Sequence, residues 1–296
     1  MNEKLFLDLE NNEQKEILMK LKRKLDLTWK NIADLLNVNR SMVFFYLNEK
    51  CKLPYKSFLV LCKAAEIDPK DFEIRKLTIV KNSIQPISKP QKTNKELAEF
   101  LGILAGDGCL TRGYEVTVTC NAIVDKPFVV NRVAHLFNYL FEITPRIRIQ
   151  KNTICCRCYS KELYSFLSNE YNFPIGEKKN RLFIPERIRQ NSEFLVCFLR
   201  GVFDTDGSFY KHHKNTATVE FISCSQGFLY EIYFALKKLN LKPSLSRKGV
   251  RIYDTEKIDT FFNTIKPNNI KHLLKYQKFK ETGRVPSHEE IKASVV

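Results

Sequence analysis

Apolar residues between positions 10 and 76 recur in short bursts at helical spacing, as at Ile32, Leu36, Val43 and Tyr46, which predicts a set of short helices. The pattern lapses over KNSIQPISKPQKTNK, residues 81–95, where two prolines, no aromatic residue and no apolar period predict a linker. From Leu97 to about residue 280, long apolar helices alternate with stretches whose polarity switches at every residue, the period of half-buried strands. The closing residues 283–296 read as a loose tail.

The second region repeats itself. Each copy opens on an apolar helix ending in Asp-Gly, FLGILAGDG at 100–108 and LRGVFDTDG at 199–207. Each continues with a polar hairpin (YEVTVTCNA, TVEFISCSQ), an amphipathic helix (DKPFVVNRVAHLFNYL, QGFLYEIYFALKKLNL), a second hairpin and a short closing helix. Asp107 and Asp206 stand 99 residues apart, and Cys120 and Cys224 stand 104 apart. The expected fold is α+β: an N-terminal all-α bundle over 1–80, the linker, and two pseudo-symmetric αββαββα halves at 96–190 and 191–282.

Charge adds a partner to this picture. The 296 residues carry 49 Lys and Arg against 33 Asp and Glu, a formal +16. Residues 1–76 hold 15 basic and 12 acidic residues, so the excess lies in the remainder. Such a balance favours a polyanion, nucleic acid above all. No apolar run reaches the roughly 18 residues of a membrane span, and MNEKLFLDLENNEQK is too acidic and polar for a secretion signal. A cytoplasmic protein with no membrane partner is expected. Nine cysteines, an odd number, argue against a disulfide framework, and Cys155, Cys156 and Cys158 are read as buried structural thiols.

Small residues recur on one side of the Asp-Gly helices: Gly102, Ala105 and Gly106 in the first, Gly201 in the second. Small side chains let two helices approach almost backbone to backbone, so these helices are expected to form the seam between the halves. Gly108 and Gly207 suit the left-handed conformation that ends a helix. Parallel packing would set Asp107 and Asp206 side by side at one end of the seam. Like charges in a half-buried site repel, and a divalent cation, Mg²⁺ or another, relieves the repulsion. Paired carboxylates, a divalent metal and a basic surface are the parts of metal-assisted phosphodiester hydrolysis. Asp204 has no acidic counterpart, since the first copy has Ala105 there, and is read as a structural acid.

In motif, repeat and order of elements, residues 97–280 resemble the LAGLIDADG homing endonucleases of the single-chain, two-motif type. The resemblance implies a monomeric, site-specific endonuclease of double-stranded DNA, with internal pseudo-two-fold symmetry, of the kind that serves intron homing. It implies Asp107 and Asp206 as the metal-binding catalytic acids, with Gly106 and Thr205 beside them as further metal ligands. It also implies two saddle-shaped sheets in adjacent major grooves. Alternation allows this, because Val118 and Cys120 point one way and Thr117, Thr119 and Asn121 the other. Arg146, Arg148 and Gln150 form a second candidate reading stripe, and Ser223 is the candidate in the second half. Around the scissile phosphates the resemblance implies a glutamine, for which Gln226 is the candidate opposite Ala122. It implies basic residues there too, with Lys178, Lys179 and Lys271 as candidates.

LTWKNIADLLNVNRSMVFFYLNEK, residues 27–50, resembles the helix-turn-helix of the lambda-repressor-like family. Thr28 can cap the first helix, Ala33 allows a close crossing, and Asn37 takes a turn position where the family often has glycine. Trp29 replaces the usual glutamine. The resemblance implies that the second helix, from Asn39, enters a major groove with Arg40, Ser41 and Phe45 outward. Trp29 and Asn39 complete the candidate DNA contacts.

Two other readings stay open. One is a transcription regulator in which the endonuclease fold is an inactive DNA-binding platform; the other is an RNA-splicing maturase. Retention of both Asp107 and Asp206 favours the nuclease, and the uneven pair Ala122 and Gln226 favours the regulator. The Met start and the KASVV end give no sign of protein-splicing termini.

Overall fold

The computed structural model of the protein describes residues 5–7, 9, 12–72, 77–79, 87–88, 90–111, 113–213 and 216–295. They fall into two units, Met1–Asn82 and Ser83–Val296. Residues 81–86 and 89 of the expected linker lie outside the described residues. The rest of that stretch is not a linker. Ile87 is buried, the Ser88 amide donates to the Phe141 carbonyl at 3.3 Å, and the Thr93 and Tyr171 hydroxyls meet at 3.0 Å. These contacts make the stretch from Ile87 onward part of the second unit.

In the first unit the short helices are Glu13–Leu25, Trp29–Leu35, Arg40–Leu47 and Tyr55–Ala64. The Thr28 hydroxyl caps the second, accepting from the Asn31 amide at 3.2 Å, and Asn37 takes φ 51° in the turn that follows. Ile32, Ala33, Val43 and Tyr46 are buried, as the helical period requires. The buried Gln14 ties the first helix to the segment after the third. Its amide donates to the carbonyls of Tyr46 (2.6 Å) and Cys51 (2.9 Å), and its oxygen accepts from the Leu53 amide (2.6 Å). The all-α expectation fails here, because Leu5–Leu7 pairs antiparallel with Leu77–Ile79. The physical reason lies at Leu7, which is buried while its amide donates to the Leu53 carbonyl at 3.0 Å. Burying such a leucine is worth roughly 1.5–3 kcal/mol.

Both halves of the second unit follow the expected order. The first runs from helix Lys95–Asp107 through strands Gly108–Leu110 and Glu115–Asn121 to a helix over 126–141 with a π turn at Val129–Val133. Strands Arg146–Gln150 and Thr153–Tyr159 and helix Lys161–Glu170 complete it. The second has helix Ser192–Asp206, strands Gly207–Lys211 and Ala217–Ile222, helix Gln226–Lys238, strands Ser244–Leu245 and Gly249–Ile252, and helix Thr255–Ile265. Each half makes a four-stranded antiparallel sheet with its strands in the order first, second, fourth, third.

Strand register corrects one pairing of the repeat. Gly108 lies opposite Val118 and Gly207 opposite Phe221, so the counterpart of Cys120 is Ser223, not Cys224. The expected tail is also corrected. After helix Ile270–Thr282 it carries a further helix, His288–Val295, with Val285 and Ile291 buried. Val285 and Ile291 stand six residues apart among charged and polar neighbours, which leaves too little period to betray a helix. No helix among the described residues is long and apolar enough to cross a membrane.

Candidate active site

Helices Lys95–Asp107 and Ser192–Asp206 form the seam. A Cβ on Gly102 would strike the carbonyl oxygen of Phe198, and a Cβ on Gly201 would strike that of Glu99. Glu99 and Phe198 hold the same place in the two copies, so the two contacts are images of each other. One turn on, Gly106 meets Thr205, its own counterpart, and a Cβ on Gly106 would strike the Thr205 hydroxyl. A position on the pseudo-axis faces itself and has room for one side chain. Residues 99–103 thus face 198–202 and Gly106 faces Thr205, so the helices run in the same direction and end together at Asp107 and Asp206.

Gly108 and Gly207 are extended, at φ −88° and −82°, not left-handed as expected. Each helix turns directly into the first strand of its sheet. A Cβ on either glycine would collide with the backbone of the preceding turn, at Leu104 or Phe203. The glycine is required for space, not for its φ.

Asp107 and Asp206 are half-buried at the negative ends of two helix dipoles, where a carboxylate is disfavoured. Burial, and then the Asp107 carboxylate, push the Asp206 carboxyl up to about 6 against the pull of Lys178 and Lys271. Asp107 is raised by burial, opposed by a hydrogen bond from Cys120 and by the same two lysines. The Lys178 ammonium donates to the carbonyls of Leu104 (3.3 Å) and Ala105 (2.9 Å), and closer still to that of Gly106. The carbonyls of Ala105 and Gly106 are ones that the helix end leaves free, while that of Leu104 also accepts from the Gly108 amide. Burial lowers the Lys178 pKa, while Asp206 and Asp107 hold it up. Lys271 pairs with Asp125 at 2.9 Å. The other two candidates are not drawn to the acids by any hydrogen bond or ion pair. Lys179 is exposed, and Gln226, the first residue of its helix, donates to the Arg247 carbonyl at 2.6 Å in the second hairpin.

Behind Lys271 lies a buried polar layer that sequence reasoning missed. Asp204 accepts from the amides of Asn268 (2.9 Å) and Asn269 (3.0 Å), and its own carbonyl accepts from Asn269 Nδ2 (2.9 Å). Asn269 Nδ2 also donates to Asp125 (2.8 Å). Burial pushes the Asp204 carboxyl up to about 7, while the two amides pull it back. Glu99, equally buried, holds Arg132 (2.7 Å), Arg200 (3.3 Å) and Asn268 (2.8 Å). The Asn-Asn pair before IKHLLKY is a helix-cap signal, but its partners lie too far along the chain for any local pattern to name them.

The first sheet shows the predicted alternation. Thr117, Thr119 and Asn121 lie opposite Arg157, Cys155 and Thr153, which lie opposite Arg146, Arg148 and Gln150. The outer strand Arg146–Gln150 is exposed throughout. Asn121, however, spends its side-chain oxygen on the amides of Ile123 (2.9 Å) and Val124 (3.2 Å), and Ser223 its hydroxyl on the Ser225 amide (3.2 Å). Both shape the turn into a helix. Cys156 and Cys158 are buried, and burial pushes each thiol up to about 12. Cys155 sits half-exposed on the outer face, 3.0 Å from the Thr117 hydroxyl, which corrects its reading as a buried thiol. The second sheet differs in charge. Arg157 pairs with Glu115 at 3.4 Å and its counterpart Arg251 more closely with Glu220 at 2.6 Å, but Ser244 stands where the first sheet has Arg146.

In the first unit, Asn39, Arg40, Ser41 and Phe45 are exposed. Trp29 is half-buried and meets Phe44 at 6.2 Å, with Lys22 over the indole (5.5 Å) and Arg40 over Phe44 (5.6 Å). This stack joins the two helices by packing and cation–π contact.

The acid pair fits a divalent cation of the Mg²⁺ kind, which takes one or two carboxylates and completes its shell with water and phosphate. Two half-buried carboxylates at the ends of helices that run together are the groups that would hold it. No three His, Cys, Asp or Glu side chains converge on such a site among the described residues. Gly106 does not fit the role expected of it, because its carbonyl faces the Lys178 ammonium. The Thr205 hydroxyl is spent on the carbonyls of Gly201 (2.9 Å) and Val202 (3.1 Å).

A family model described as a LAGLIDADG-like domain matches residues 193–266, from the seam helix of the second half to its closing helix. Among solved structures, the chain is similar to the homing endonuclease I-DmoI in complex with DNA and Mn, at 18% identity and TM-score 0.43, over 58% of this chain and 96% of that one. It is similar to the N-terminal LAGLIDADG domain of DUF199/WhiA at 19% identity and TM-score 0.43, over 60% and 85%. Among curated relatives it is similar to the A subunit of the A-type ATP synthase of Pyrococcus horikoshii, at 25% identity over 71% of this chain, and to that of Pyrococcus abyssi, at 26% over 55%. The matched stretch spans 20% and 16% of those two proteins.

Proposed function

We propose that the protein is a monomeric, site-specific endonuclease of double-stranded DNA, of the homing type, that works with a divalent metal. The seam carries this reading: two glycine-packed helices end together on Asp107 and Asp206, with Lys178 and Lys271 beside them. A bound metal would neutralise the acid pair and polarise a phosphodiester and its attacking water. The protein's own residues do the rest. Lys178, fixed by three helix-end carbonyls, and Lys271, fixed by Asp125, supply positive charge where a phosphate gains negative charge. Arg146, Arg148 and Gln150, with Thr117 and Thr119, offer donors along one sheet face for groove edges and backbone. The first unit acts as a helix-turn-helix tether through Asn39, Arg40, Ser41 and Phe45, raising the effective concentration of the nuclease on DNA.

The test is to incubate the protein with plasmids carrying the flanks of its own coding region, with Mg²⁺, beside an Asp206→Asn control. Metal-dependent linearisation at one site, lost in the control, is expected. Specific binding without cleavage in Mg²⁺ or Mn²⁺ would make it instead a DNA-binding regulator on an inactive LAGLIDADG-like fold.

A further inference from the structure

The two lysines beside the acids are mounted in different ways. In the first half Lys178 rests directly on the carbonyls that close the seam helix, and the motif has Ala105 at its sixth position. In the second half the sixth position is Asp204, whose two oxygens accept from the successive amides of Asn268 (2.9 Å) and Asn269 (3.0 Å). That grip fixes the turn that starts helix Ile270–Thr282, where Asn269 caps the amide of Lys271 at 3.3 Å. Asn269 Nδ2 then bridges the Asp204 carbonyl (2.9 Å) and Asp125 (2.8 Å), and Asp125 takes the Lys271 ammonium at 2.9 Å. Asp125 comes from the first half, before the helix over 126–141, and its second oxygen accepts from the Asn121 amide at 3.2 Å. A loop of buried bonds therefore closes from the second motif, through the first half, to a lysine of the second half.

We propose that Asp204 and Asp125 are positioning residues that hold Lys271 against the acid pair, so that the second motif sets its own basic residue through the opposite half. Asp204 is buried under two amides, and one lost partner leaves a desolvated group behind. Shells of this kind orient the groups that do the chemistry. The catalytic consequence rests on the nuclease reading; the placement of Lys271 does not.

The experiment labels lysines of the full-length protein with an amine-acetylating reagent and reads each site by mass spectrometry. Wild type, Asp204→Asn and Asp125→Asn are compared, with denaturant midpoints confirming the fold. Asp125→Asn keeps one acceptor oxygen, which can serve Asn269, while it loses the ion pair and the second acceptor that faces the Asn121 amide; as a change in a different half, it guards against an Asp204 variant that fails to fold. Lys271 labelling is expected to rise about fivefold or more in both variants, with Lys178 and Lys179 unchanged, as the half-buried ammonium is released. On a cleaved target, the single-turnover rate should fall roughly ten- to hundredfold with little change in DNA affinity. Adding Lys271→Met to Asp204→Asn should cost nothing further. Unchanged Lys271 labelling, or an equal rise at Lys178, overturns the proposal. If the wild type cleaves no DNA, the nuclease reading falls, and the labelling still decides the placement.

Discussion

The ammonium of Lys178 donates to the carbonyl of Ala105 at 2.9 Å, at the end of the helix whose last residue is Asp107. One side chain thus caps a helix C-terminus and offsets a carboxylate pair that the helix dipoles and burial both disfavour. Lys178→Met should separate these roles. Stability should fall by about 1–2 kcal/mol, the usual cost of unpaired carbonyls. Cleavage should fall more, by roughly a hundredfold in single-turnover rate, because charge on the phosphate then has one lysine fewer. Equal losses in stability and rate, or a rate unchanged, would count against an electrostatic role.

Asp206 sets the pH behaviour of the metal-free site. Its carboxyl rises from the ordinary 3.8 to about 6, chiefly through burial. A group raised in the folded state stabilises the fold below its ordinary pKa, and that contribution is lost as pH climbs from about 4 to 6. A metal binds the ionised form, so affinity should drop about tenfold per unit below pH 6. Asp206→Asn should therefore melt a few degrees higher than wild type in chelator at pH 7, and should lose the stabilisation that Mn²⁺ or Mg²⁺ gives. Thermal unfolding with and without metal between pH 5 and 8 checks both. A wild type whose metal response is flat across that range would contradict the assignment.

That the two motif helices pack together and end on Asp107 and Asp206 was legible because both copies obey one demand, close backbone contact at Gly102 and Gly201. The strands were legible from alternation, and Thr28, Ala33 and Asn37 from their local geometry. What escaped has a common cause. Asp125, Asn268 and Asn269 matter through partners 64 to 169 residues away, and single residues carry no periodic trace of such contacts. Gly108 and Gly207 were correctly marked as helix ends, but the reason lay in the turn beneath them. Gln226 was matched by its place in the chain, whereas strand register makes Ser225, not Gln226, the counterpart of Ala122.

Gly201→Ala should be among the most damaging single-methyl changes in the protein. The new Cβ would strike the Glu99 carbonyl and lie 2.6 Å from the Ile103 amide nitrogen, both backbone atoms that cannot swing aside. Overpacking of this kind costs about 1–3 kcal/mol or more, and here it also pushes the acids apart. Denaturant unfolding should show the loss, and cleavage should fall further than stability predicts. Gly227→Ala, with nothing within 4 Å of its Cβ, is the matched control and should be close to neutral.

The two sheets should contribute unequally to DNA affinity. Arg148 stands exposed on the outer strand of the first sheet, whereas Arg251 is spent on Glu220 at 2.6 Å. Arg148→Ala should cost about 1–3 kcal/mol if it reads a base, or flatten the salt dependence by about one unit if it holds a phosphate. Arg251→Ala should cost affinity less, while lowering stability because Glu220 is left buried without its partner. Binding titrations at several salt concentrations distinguish these outcomes, and equal losses of affinity for the two would refute the asymmetry.

His272 gives the last prediction. It is buried, its ring lies 4.4 Å from that of Phe203 in the second motif, and among the described residues its nitrogens find no well-formed hydrogen bond, the Phe203 backbone being the one polar group near enough to favour the proton. Burial, with Lys271 and Lys275 on the same helix, pushes its pKa well below the ordinary 6.5. The sign follows from linkage: below about pH 6.5 the unfolded chain takes a proton that the folded protein refuses, so stability falls by about 1.4 kcal/mol per unit. His272→Leu removes the poorly satisfied nitrogens and the titration together. At pH 7 it should raise stability by about 1–2 kcal/mol, and the gap over wild type should widen as pH is lowered to 5. Denaturant midpoints at pH 7, 6 and 5 provide the check. A constant gap would mean that the imidazole reaches water or a partner in solution, and a negative one that its shape matters more to the packing beneath Phe203 than its polarity costs.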